Sequence, residues 1–301
     1  MPEEGLRFSE KSELLSYEEM ERLVRILAEM GISKVRITGG EPFVRKDIVP
    51  FMKRITAIPG IDALSITTNG TNLVDYLPEL LTMHIHSVNL SLDTLDKDRF
   101  FQITRRDEFD QVIQAYHALI GSGIRTKINM VVMADKNLPD IQPMCELTRT
   151  DPVSIRFIEE MPFNGGSKGY TPITWNMDRI RQEIESHYGP LQKLPDHTSS
   201  TSVNYRLPGA KGTIGIIPAY TRTICGQCDR IRLTPKGLLK TCLYDNGVFN
   251  FRDFMRSGAN DDAIRAKFRE QFGRRAKDGF EAESQKNHNT SSFESMATIG
   301  G

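Results

Sequence analysis

Between Ser16 and Met30 the apolar side chains Met20, Leu23, Val24, Leu27 and Met30 recur at the spacing of one helical face. Ser16 and Glu19 give a capping-box signal at the start, and Gly31 stops the run. The same reading predicts strands over Lys34 to Thr38, Ala63 to Thr67, Ser87 to Leu92, Arg125 to Met133 and Val153 to Ile158. Helices are predicted between them: Arg45 to Ile58, Leu73 to Leu81, Glu108 to Ile120 and Pro139 to Thr148. Strand and helix alternate about every 25–35 residues, the signature of βαβ units and a parallel sheet. Two strands, Val88-Asn89-Leu90-Ser91-Leu92 and Lys127-Ile128-Asn129-Met130-Val131-Val132, still alternate polar with apolar. A parallel strand covered on both faces is more uniformly apolar. Alternation fits a barrel or half-barrel whose inner face carries polar groups.

The pattern breaks at Phe163-Asn164-Gly165-Gly166-Ser167-Lys168-Gly169, which reads as a loop and a domain boundary. It divides the chain into 1–165, a barrel-like region, and 166–301. The second part is predicted to hold a helix over Trp175 to His187, short strands at Val203 to Leu207 and Thr213 to Pro218, and a helix near Asp261 to Gln271. From Ala276 the tail is polar and weakly periodic.

Composition changes this picture little. With 39% apolar and 26% charged residues over 301 positions, the chain has a soluble globular make-up and enough length for a sizeable core. Lysine plus arginine balances aspartate plus glutamate, 39 against 39, so net charge gives no reason to expect nucleic-acid or membrane-surface binding. No apolar run nears the roughly 18 residues of a membrane span. The start, Met1-Pro2-Glu3-Glu4-Gly5, lacks the pattern of a signal peptide. Three of four cysteines lie between positions 225 and 242, which favours metal binding in a reducing cytoplasm over a disulfide scaffold.

Those three carry the strongest chemical signal. Cys225-Gly226-Gln227-Cys228 lets two thiolates converge on one metal, and Cys242 follows after thirteen intervening residues. Zinc would need a fourth ligand, from Cys145 or one of six histidines. A [4Fe–4S] cluster on three cysteines leaves one iron open. Spacing alone does not choose between the two. Arg230 and Arg232 follow at alternate positions, so on an extended segment they point one way and suit a phosphate-bearing ligand or a solvated strand face. Thr38-Gly39-Gly40-Glu41-Pro42 closes a predicted strand with two glycines that permit close backbone approach, or simply a tight turn. Other predicted strands end or face inward in polar groups: Thr67-Thr68-Asn69-Gly70, Ser91 with Asp93, Lys127, Asn129, Arg156, and Glu159 with Glu160 and Met161. Functional groups at several successive strand ends, on one side of a barrel, form a pattern that any one of them alone does not.

Taken together these segments resemble the MoaA family, radical S-adenosylmethionine (SAM) enzymes that act as GTP 3′,8-cyclases in molybdenum cofactor biosynthesis. The resemblance runs the length of the chain. It is carried by Ile37-Thr38-Gly39-Gly40-Glu41-Pro42, Val88 to Asp93, Arg156-Phe157-Ile158-Glu159, the Cys-x-x-Cys-x-Arg-x-Arg segment with Cys242, and the terminal Ile299-Gly300-Gly301. It implies a partial (β/α)6 TIM-like barrel lacking its first strand, followed by a C-terminal cluster region. Gly40, Ser91 and Met161 would line the SAM site. Arg36, Thr67, Lys127, Arg156, Arg230, Ile231 and Arg232 would contact GTP, and Cys225, Cys228 and Cys242 would bind a [4Fe–4S] cluster. Arg230, Arg232, Gly300 and Gly301 would serve catalysis, the tail reaching back into the active site. In the family, reductive cleavage of SAM gives a radical that takes the ribose 3′ hydrogen of GTP, and C3′ then joins C8 of guanine. The implied partners are GTP, an electron donor, the next enzyme of the pathway by product hand-off, and a second copy of the chain in a homodimer.

One departure stands out. The family's SAM-cleaving [4Fe–4S] cluster sits on a CxxxCxxC motif that these 301 residues lack. The sequence therefore reads as truncated, and this polypeptide is expected not to cleave SAM reductively. Two rival readings remain open: a radical SAM peptide-modifying enzyme with an auxiliary cluster, and a zinc-stabilised binding protein without catalysis.

Overall fold

The computed structural model describes residues 10–161, 173–196, 199–223 and 225–285. The predicted loop at Phe163 to Gly169 and the tail glycines Gly300 and Gly301 lie outside the described residues. The helix α1 (Tyr17–Glu29) begins at Ser16, whose hydroxyl accepts the Glu19 N–H while the Glu19 carboxylate accepts the Ser16 N–H, so the capping box is formed in full. It is followed by β1 (Lys34–Ile37), α2 (Ile48–Thr56), β2 (Ala63–Thr68), α3 (Leu73–Leu80) and β3 (Ile85–Ser91). Next come α4 (Lys97–Thr104), α5 (Phe109–Ser122), β4 (Thr126–Val132), α6 (Ile141–Thr150), β5 (Ser154–Glu159) and α7 (Met177–Tyr188). The remaining elements are β6 (Gln192–Lys193), β7 (Val203–Arg206), β8 (Thr213–Ile217), β9 (Arg232–Leu233), β10 (Leu238–Lys240), β11 (Phe249–Asn250), α8 (Phe251–Arg256), α9 (Asp261–Gly273) and α10 (Gly279–Ser284).

One predicted boundary moves and one helix is new. The helix expected from Arg45 starts at Ile48, because Pro42–Val44 forms a 3-10 turn and Asp47 adopts a left-handed φ of 58°. Helix α4 was not predicted; Asp96 starts it by accepting the Arg99 N–H at 2.7 Å.

The described residues pack as two compact units. One unit holds residues 65–161, 173–196, 199–223 and 225–227, the other residues 10–64 and 228–285. In the first, the strand order is β2-β3-β4-β5-β8-β7-β6. Pairs β3–β4, β4–β5 and β5–β8 are parallel, while β7 and β6 close the edge antiparallel. This is a mixed α/β fold built on a parallel sheet. One face of that sheet presents Leu90, Ile128, Met130, Ile155, Phe157, Ile214 and Ile216, and α5, α6 and α7 pack on it through Val112, Tyr116, Ile141, Met144, Ile180 and Ile184. The polar residues of the alternating strands therefore share the opposite face.

In the other unit, head and tail of the chain make one core. Leu23, Ile26 and Leu27 of α1 pack with Leu239 of β10, Phe251 and Met255 of α8, and Ile264 and Phe268 of α9. Phe251 stacks on Phe268 with ring centroids 3.9 Å apart. Arg22–Asp261, Arg256–Glu19 and Arg265–Glu29 ion pairs rim the core. The tail expected to be irregular from Ala276 includes α10, whose N-terminal N–H groups of Phe280 and Glu281 are capped by Asp278. Among the described residues no helix is long and apolar enough to cross a membrane.

Candidate functional site

Parallel register sets the polar face of the first unit. Asn89 lies opposite Lys127, and Ser91 opposite Asn129. Asn129 lies opposite Arg156, Arg156 opposite Gly215, and Gly215 opposite Asn204. Residues in register on paired strands project to the same side, so Ser91, Asn129, Arg156 and Asn204 form one row, with Asn89 and Lys127 in the row beneath. Thr67 is buried beside them, and its hydroxyl accepts the Asn89 Nδ2–H at 3.4 Å. The Oδ1 atoms of Asn89 and Asn129 are buried without a hydrogen-bond partner. Buried acceptors in that condition are rare and suit a polar ligand or water.

Gly215 is the residue that the sequence reading missed. A Cβ there would stand 3.1 Å from Asn204 Oδ1 and 3.4 Å from Arg156 Cγ, so glycine leaves the row room to carry the guanidinium. The available signal was an isolated glycine inside the apolar run Thr213-Ile214-Gly215-Ile216-Ile217.

The end of β5 has a different role from its neighbours. Glu159 is fully buried and accepts the N–H groups of Met177, Tyr220 and Thr221 at 2.8, 2.8 and 2.7 Å, together with the Thr221 hydroxyl at 2.9 Å. One carboxylate thus ties the strand to the start of α7 and to the segment that leads into Cys225. Met161 closes the described strand end, 8% exposed.

At the end of β3, Asp93 accepts the Val131 N–H at 2.8 Å. Burial pushes its carboxyl up from 3.8 to about 6, and the Val131 N–H opposes that shift. A raised folded value means that stability is fully present below the unfolded value and is lost as pH rises through about 6. Asp93→Asn keeps an acceptor for Val131 and removes the charge. It is expected to be more stable than the parent by about 1–3 kcal/mol near pH 7.5 and indistinguishable near pH 4. Urea melts at the two pH values read this out; an equal difference at both would rule it out.

In the second unit, Arg36 lies on the exposed side of β1, where burial alternates with Val35 and Ile37. Gly39 takes φ 149°, a conformation that favours glycine, just before Gly40. Glu41 caps the following turn by accepting the Phe43 N–H at 3.2 Å. Ile231, between Arg230 and Arg232 in the sequence, packs against the core of this unit. In the β9–β10 pair, Arg232 lies opposite Lys240, a lysine only 2% exposed that the sequence reading passed over.

The Cys228 and Cys242 thiols and the Asp245 carboxylate all act on the Arg232 charge. Burial pushes the Arg232 guanidinium down, Arg230 adds to that, and the two cysteines and Asp245 oppose it. Burial likewise pushes the Cys242 thiol up, with Asp245 and Cys228 adding to the shift. Two sulfur donors within electrostatic reach of each other beside two guanidiniums fit a thiolate-bound metal centre with an anionic ligand. Cys225 falls in the first unit, on the 3-10 turn Cys225–Gln227. Among the described residues no three cysteine, histidine, aspartate or glutamate side chains already converge as a metal site. Cys145 is fully buried in the core of the first unit, where burial pushes its thiol up, and it is no ligand candidate.

Comparison with known proteins gives this geometry a family. Residues 2–148 match the model of the radical SAM superfamily, and residues 153–280 match Molybdenum Cofactor Synthesis C. The crystal structure of Streptococcus suis SuiB aligns over 84% of this chain and 62% of its own, with a TM-score of 0.55 and 16% identity, a likeness of fold. Fold and sequence place the chain in the radical SAM superfamily, whose members use a [4Fe–4S] cluster and SAM.

A GTP 3′,8-cyclase from Alkaliphilus metalliredigens is 36% identical over 309 aligned positions, covering 100% of this chain and 92% of that protein. The mitochondrial GTP 3′,8-cyclase of Arabidopsis thaliana is 37% identical over 88% of this chain and 68% of its own length. Molybdenum cofactor biosynthesis protein 1 of Drosophila melanogaster is 42% identical over 85% of this chain. Within the superfamily, the chain belongs to the GTP 3′,8-cyclase family of molybdenum cofactor biosynthesis. It spans less than half the length of the Drosophila relative, 45%.

Proposed function

We propose that this chain is the substrate-binding body of a GTP 3′,8-cyclase, a lyase that converts GTP to 3′,8-cyclo-7,8-dihydro-GTP on the way to molybdopterin. The observation that carries this reading is the buried Arg232, on whose charge Arg230 and the Cys228 and Cys242 thiols all act. A triphosphate needs several cations, and guanidinium forks match its oxygens. Arg36, Lys127, Arg156, Arg230 and Arg232 are the proposed cations. Ile231 and Thr67 complete the nucleotide contacts, while Gly40, Ser91 and Met161 line the SAM position. Cys225, Cys228 and Cys242 would hold a [4Fe–4S] centre, and Gly300 and Gly301 would serve catalysis. SAM with its own cluster, whose CxxxCxxC ligands are not among these residues, would supply the one-electron chemistry; the residues named here would bind GTP, fix its ribose and base, and neutralise its charge. The architecture that suits this is a partial (β/α)6 barrel with a C-terminal cluster region, working in the cytoplasm with an electron donor and a downstream enzyme that takes the product.

The 301 residues contain no CxxxCxxC, and Cys145 is sealed in the core. This polypeptide, reconstituted anaerobically, is therefore expected to carry roughly four iron and four sulfide per chain. GTP at about 100 times its Kd is expected to stabilise it by about 2.7 kcal/mol. Reduction with SAM present is expected to yield no 5′-deoxyadenosine. One zinc per chain with no thermal shift by GTP would refute the reading, and 5′-deoxyadenosine release would refute the assignment of the missing motif.

A further inference from the structure

The loop that carries Cys242 is closed around one carboxylate. Asp245 Oδ2 accepts the N–H of Thr241 and the N–H of Cys242, both at 2.8 Å, and the Thr241 hydroxyl at 3.1 Å. Its Oδ1 accepts the Gly247 N–H at 2.8 Å. Thr241 is 3% exposed, so this is not a solvated surface turn. Gly247 adopts φ 91°, and a Cβ there would collide with the Leu238 side chain at 2.2 Å, so the loop has little freedom to close another way. The same carboxylate acts on the Arg232 charge alongside Cys228 and Cys242.

We propose that Asp245 is a positioning residue for Cys242: it holds the backbone of that ligand at the end of β10 and sets the charge beside the substrate-side metal centre. The inference rests on the iron–sulfur reading above. Each donor it collects lies on the ligand's own peptide, on its neighbour, or on the loop that must fold back over it. Partners of this kind orient metal ligands, and their loss weakens metal affinity by about 10- to 100-fold. The carboxylate charge has a separate consequence. Net charge near an iron–sulfur cluster tunes its reduction potential, so removing one negative charge moves the midpoint to more positive values.

The two consequences separate in two variants of the full 301-residue chain. Asp245→Ala removes both acceptors and is expected to retain iron about 10- to 100-fold less well against a chelator. Asp245→Asn keeps the shape and part of the acceptor set. It is expected to load iron and sulfide like the parent but to show an altered electron paramagnetic resonance signal and a more positive midpoint. Asp278→Asn, which alters the capping carboxylate of α10, is the control and is expected to change neither. Parental iron retention in Asp245→Ala together with a parental spectrum in Asp245→Asn overturns the proposal and leaves the cluster reading standing. A parent chain that binds no iron overturns both. Should Asp245→Ala not fold, the spectrum of Asp245→Asn decides; should that variant also fail to fold, Asp245 is a structural closure and the proposal is wrong.

Discussion

Glu159→Ala is expected to lose about 3–5 kcal/mol of folding stability, a large part of the roughly 5–15 kcal/mol that a domain has. Nothing replaces the carboxylate. Three backbone N–H groups and one hydroxyl from two separate segments end on it, and the side chain is fully buried. Hydrogen bonds to a charged group contribute about 1.5–3 kcal/mol each, and relaxation with water entry recovers part of the loss. Glu159→Gln keeps one carbonyl oxygen and is expected to lose only about 1–3 kcal/mol. Urea unfolding followed by circular dichroism measures both, and an alanine variant that melts with the parent would show that the carboxylate is not a structural hub. The segment released includes Thr221, four residues before Cys225, so iron loading is expected to fall in the same variant.

The double variant Arg230→Ala/Arg232→Ala is expected to separate binding from stability. Two charge-assisted contacts to phosphate are worth about 3–6 kcal/mol together, which corresponds to roughly 10²- to 10⁴-fold in GTP affinity. Stability is expected to change less than affinity. Burial and the like charge of Arg230 depress the Arg232 guanidinium, while Cys228, Cys242 and Asp245 offset that shift. Isothermal titration calorimetry with GTP, beside a thermal melt without it, reads out both. An affinity within about threefold of the parent would remove these arginines from the site. Lysine at both positions is expected to restore little, because an ammonium lacks the planar fork.

Local chemistry made much of this legible. The Ser16/Glu19 capping box and the alternation in β4 follow from side-chain period and capping alone, and both are present. Family membership was legible too, because it rests on short segments whose residues are contiguous. What escaped was set by space or by distant partners. Gly215 matters because Arg156 and Asn204 flank it on other strands. Lys240 is buried because β9 and β10 pair in a particular register. Glu159 looked like one polar strand end among several until Met177, Tyr220 and Thr221 came to it. Helix α4 went unnoticed although its Asp96 cap was readable in the sequence.

Cys225, Cys228 and Cys242 show the division most clearly. The sequence by itself determined their number, their spacing and the arginines that follow Cys228, because covalent order and strand period do not depend on the rest of the chain. It also determined that the SAM-cleaving motif is not among these 301 residues. Only the tertiary structure decided that α1 shares a core with α8 and α9, that Arg232 is buried between like charge and sulfur, and that Asp245 closes the loop of Cys242. The first joins segments more than two hundred residues apart, the other two depend on how the surrounding chain packs, and no local pattern records either.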